Sequence, residues 1–179
     1  MSTKNTLLLL LLIFGSLFST KAQFTETFEA LPVGATVFTN AGRTFTTTGN
    51  PNYSVEFFDN AGAADSDFFL SNINNIGVNQ TNVIALTGGG TAFTMKSMEI
   101  WVSSRTDLVV PTNDGTMTFT GKLGGVTQFS FTKTTGYLTT NTGPQNGFFL
   151  MDFAASGSGD FSNINIDRIE VTQNGPFIY

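Results

Sequence analysis

From Gln23 onward, short runs of β-branched and aromatic residues are repeatedly cut by Gly, Asn, Asp or Pro. That cadence leaves room for many short strands and for no convincing helix. Candidate strands cover 24–29, 35–39, 43–48, 53–58, 67–71, 82–87, 92–103, 115–121, 126–133, 147–154 and 163–172. So many short strands between turns point to an all-β fold, an antiparallel β-sandwich of jelly-roll type. Met117 and Phe119 fall on one strand face and Thr116, Thr118 and Thr120 on the other, while Phe129 and Phe131 alternate with Gln128, Ser130 and Thr132. The Gly-rich stretch 121–126 between them reads as a hairpin connection. Met98, Ile100 and Val102 form the inward side of the Trp101 strand. Phe148 to Phe153 (FFLMDF) is apolar on both parities, which fits a strand covered on both sides or one that exposes an apolar strip.

Residues 1–22 have the form of a cleavable signal peptide. Lys4 precedes an apolar run from Leu7 to Phe18, too short for a comfortable membrane span, and Thr20 and Ala22 place small residues before a cut at Gln23. The chain is thus expected to be exported, to the cell surface, the medium or a periplasm, with residues 23–179 forming a single domain and no membrane span in the mature chain. Without Lys4 and Lys21, 6 basic residues face 13 acidic ones. This balance argues against a nucleic-acid partner, whose phosphates call for a basic patch.

The chain has no Cys and no His. Disulfides cannot hold the exported domain together, and His- or Cys-based zinc, copper and haem sites are excluded, whereas an oxygen-ligated calcium is not. The Ser-His-Asp and Cys-His arrangements are likewise impossible. No local context marks a catalytic carboxylate pair among the 13 acids, so the expected role is non-catalytic.

Several places carry candidate chemistry. Trp101, the only Trp, shares its strand parity with Glu99 on the polar side, and Arg105, Asp107, Asn113 and Asp114 follow in the next loop. An exposed ring stacks on the apolar face of a sugar while such polar groups take its hydroxyls, so these six residues are the candidate ligand site. The alternative is a Trp covered by that same loop. Thr116, Thr118 and Thr120 form a short hydroxyl row, explained equally by the suitability of Thr for exposed strands. The acidic stretch 59–67 (DNAGAADSD) reads as a polar surface loop. Near the start, Glu26 shares the apolar parity of Phe24 and Phe28 and therefore needs a partner or an edge position. Near the end, Ile164 and Ile166 have one parity and Ile169 and Val171 the other, so all four face the core only if the strand bulges near Asp167 and Arg168, which would re-aim Asp167.

The opening Phe28-Glu29 and the closing Ile166-Asp167-Arg168-Ile169-Glu170-Val171 resemble the galactose-binding-like jelly-roll modules, which include many carbohydrate-binding modules of secreted bacterial proteins. The resemblance implies first and last strands lying close together and a structural calcium held by an acid near each end, here Glu29 and Asp167. Many relatives carry a second acid where this chain has Arg168. The implied function is a secreted module that binds a glycan or another surface ligand. An adhesive or structural surface protein is the alternative, and a carbohydrate-active enzyme a more distant one.

Overall fold

The computed structural model describes residues 23–49, 53–57, 68–71, 80–100, 102–103, 116–137, 148–174 and 177–178. Every regular element among them is a strand: β1 Val37–Asn40, β2 Arg43–Thr48, β3 Ser54–Phe57, β4 Phe68–Ser71, β5 Gln80–Gly88, β6 Ser97–Ile100, β7 Val102–Ser103, β8 Thr116–Leu123, β9 Val126–Lys133, β10 Phe149–Asp152, β11 Arg168–Asn174 and β12 Phe177–Ile178. Six of them form one antiparallel sheet in the order β1-β2-β5-β11-β8-β9. Against its inner face pack the antiparallel pairs β6–β10 and β3–β4, while β7 pairs with β12. The result is an antiparallel β-sandwich.

Alternation explains which residues fill the core. Met117 and Phe119 of β8 are fully buried, Phe129 and Phe131 of β9 nearly so, and the intervening Thr, Gln and Ser residues point outward. Leu123 and Val126 close the β8–β9 hairpin on Gly124 and Gly125, both at positive φ, where L side chains are strained. At Asp167 the expected change of parity takes place. It takes the form of a break rather than a bulge: Ile166 bridges Phe93, and two residues later Arg168 opens β11 in the six-stranded sheet. Ile166, Ile169 and Val171 are therefore all buried, and Ile164 packs against the same core. The two-sided apolar run is also resolved: Phe149, Met151 and Phe153 are buried, Phe148 is buried on the other parity, and Leu150 remains 61% exposed.

Two expected strands are corrected. Residues 24–28 join no ladder and a turn follows at Glu29, because Phe28 adopts φ 65° and its N–H donates to its neighbour Glu26 Oε1 at 2.9 Å. That local bond competes with strand pairing. The expected strand 92–103 is broken because its parts have different partners. Phe93 bridges Ile166, β6 pairs with β10, and β7 pairs with β12. The late strand β11 lies between β5 and β8, separated from β1 by β2 and β5, so β1 and β11 are not neighbours in the sheet.

Candidate functional site

The phenylalanines divide into two groups with different consequences. At the β8–β9 side, Phe161 stacks on Phe129 and Phe131 at 4.9 and 5.3 Å, and Phe153 meets Phe119, Phe129 and Phe131 at 5.9 to 6.0 Å. This side is closed. At the β1–β2 side, Phe38 stacks on Phe45 at 5.2 Å, Phe28 meets Phe38 edge-on at 5.4 Å, and Phe24 and Phe93 contact Phe45 at 5.9 and 5.3 Å. These rings line a groove of about 930 Å³ between the sheet and β6. Its size falls in the range that holds small organic ligands.

The segment 23–28 forms one wall, and Glu26 holds that wall in place. Asn40 Nδ2 donates to Glu26 Oε2 at 2.8 Å and to the Thr25 carbonyl at 3.1 Å. The acid on the apolar parity is thus satisfied by an amide and by the Phe28 N–H. Arg43, Lys96 and Glu99 add charge to the lining, and Lys96 donates to Asn163 Oδ1 at 2.7 Å. Leu150, the cross-strand partner of Glu99, adds an exposed apolar contact. The walls therefore combine aromatic and aliphatic carbon with a comparable number of polar residues.

Of the six candidate ligand residues, Glu99 is exposed and lines this groove. Trp101, Arg105, Asp107, Asn113 and Asp114 lie outside the described residues, as do the acidic stretch 59–67 and residues 1–22. The residues missed by sequence reasoning are Phe24, Arg43, Phe45, Asn82 and Lys96, which come from four separate segments. Only the misplaced Glu26 hinted that the opening segment did more than pair.

Asp167 and Glu29, the acids that the resemblance implies as calcium ligands, stand in different surroundings. The Gly124 N–H donates to Asp167 Oδ2 at 2.6 Å, and Arg168 Nε stands 3.5 Å from Oδ1. Glu29 is exposed in its turn, and among the described residues no three acids come together as metal ligands.

Across the outer face of the large sheet, hydroxyls pair from strand to strand: Thr39 with Thr44, Thr46 with Thr87, Thr81 with Thr172, Thr118 with Thr132 and Thr120 with Ser130, at 2.8 to 3.2 Å. Lys122 and Glu170 add an ion pair at 2.7 Å. The short row foreseen on β8 is therefore part of a hydroxyl surface crossing the whole sheet. No protein-family model matches the chain, and no curated protein or solved structure does so either.

Proposed function

We propose that this chain is an exported, non-catalytic binding module that holds a glycan segment in the groove between its large sheet and β6. The observation that carries this reading is the pairing of ring-lined walls with charged groups in one groove: Phe24, Phe45 and Phe93 beside Glu26, Arg43, Lys96 and Glu99. A sugar has apolar C–H faces and a rim of hydroxyls, and it matches walls that alternate in the same way. A lipid would favour a lining without four ionic side chains, since each must be desolvated around an apolar chain. Trp101, the only Trp, follows β6 directly in sequence.

Retention on a panel of immobilised polysaccharides tests the reading, with Phe24→Ala and Trp101→Ala as variants. Retention of the native domain and a loss of about tenfold or more in affinity for Phe24→Ala are expected, since a stacked ring contributes on the order of 1 kcal/mol or more beyond its buried area. No retention on any carbohydrate, or retention unchanged in both folded variants, would count against it. Release of new reducing ends during incubation would replace it with an enzyme.

A second reading, an adhesive or structural surface protein, is favoured by the hydroxyl face of the large sheet. In that case binding would survive Phe24→Ala and fall when Thr118 and Thr120 are replaced together by Lys.

A further inference from the structure

Asn82 stands on the inward side of β5, is 2% exposed, and lines the groove. Among the described residues, neither its Oδ1 nor its Nδ2 has a hydrogen-bond partner. A buried carboxamide with both ends unmet is destabilising unless something else supplies a donor and an acceptor, so it points to a group that enters the groove.

Its surroundings restrict that group. Asn82 pairs in register with Val171, and Ile84 lies two residues along on the same face. Tyr53 is buried next to it: a Cβ placed on Gly49 would stand 2.7 Å from Asn82 Oδ1 and 2.8 Å from Tyr53 Cβ. Leu70 and Tyr53 form an apolar cluster that packs on Ile84, and both line the same groove. The complementary ligand group therefore carries a donor and an acceptor on adjacent positions, together with a small apolar end.

We infer that the Asn82 end of the groove recognises the acetamido group of an N-acetylhexosamine. Asn82 Oδ1 accepts the acetamido N–H, Nδ2 donates to the neighbouring ring hydroxyl, and the acetyl methyl packs against Tyr53, Leu70 and Ile84. This rests on the glycan-binding reading and specifies its sugar. A plain hexose offers hydroxyls to Asn82 but nothing to fill the apolar end.

Calorimetric titration with a β-linked trimer of N-acetylglucosamine, with monomeric N-acetylgalactosamine, and with the matching sugars bearing a hydroxyl at C2 tests the inference. At least one acetamido sugar is expected to bind about tenfold or more tighter than its hydroxyl counterpart, the scale of one buried hydrogen bond. Asn82→Leu and the smaller Asn82→Ser should each erase that ratio. The Leu variant should melt no lower than the native domain, because it removes an unsatisfied carboxamide. Equal affinity for both forms, or a preference that persists in folded Asn82→Leu, overturns the inference while leaving glycan binding intact. Absence of binding to all four sugars also overturns it, and Phe24-dependent retention on another polysaccharide then decides separately whether the broader reading stands.

Discussion

Gly121 lies on the inward side of β8, where a Cβ would stand 2.3 Å from the Phe129 ring and 2.9 Å from Ile166. The missing side chain lets the ring reach the sheet, and the register shifts between Gly121 and Lys122. Gly121→Ala should lower stability by about 1–3 kcal/mol through overpacking, read as a reduced denaturation midpoint. Tyr53 illustrates a different residue-scale effect. Full burial pushes its phenol well above the ordinary value of 10.0. A raised folded pKa means stability that is complete below about pH 10 and lost as the pH rises through the alkaline range. The Tyr53 phenolate absorbance should therefore appear only together with loss of structure, and a phenol that titrates freely in the folded domain would contradict its burial. Burial also raises the Tyr137 pKa, opposed in part by its hydrogen bonding with the backbone at Met117. Neither environment was legible in the sequence, because their neighbours come from distant strands.

Among the elements, the two Phe groups make opposite predictions. Phe153 follows β10 and is fully enclosed by Phe119, Phe129 and Phe131. Truncating it to Ala should destabilise the domain by about 3–5 kcal/mol, as measured by denaturant unfolding. Phe24 is half-buried on a segment outside the sheet, so Phe24→Ala should cost clearly less stability while still weakening ligand retention. Alternation in the sequence identified the inward residues of β8 and β9 because each contributes to one face of a regular ladder. It could not tell a ring that closes the core from one that lines a groove, since both are apolar and both point inward. The run 24–29 was misread as a strand for a related reason. Its aromatic alternation is genuine, but the left-handed Phe28 and the Glu26 carboxylate hold it as a wall, supported by Asn40.

At the scale of the whole molecule, β11 comes late in the chain yet occupies the middle of the large sheet, with β5 on one side and β8 on the other. Its pairings join residues separated by up to about ninety positions, such as Thr81 and Thr172. Ending the chain before Arg168 should therefore leave an unfolded product, visible as loss of cooperative melting, because the sheet would be split into two halves with unpaired central edges. Folding should be slow for the domain's size, since these non-local pairings require large loops to close first. The all-β class, the inward faces of β8 and β9, and the parity change at Asp167 follow from the amino-acid sequence alone. Each depends on neighbours within one strand, where side chains alternate with a period of two. The groove, the unmet carboxamide of Asn82 and the donors that surround Asp167 were decided only by tertiary structure. Strand order is set by which distant segments pair, and local alternation carries no information about that choice.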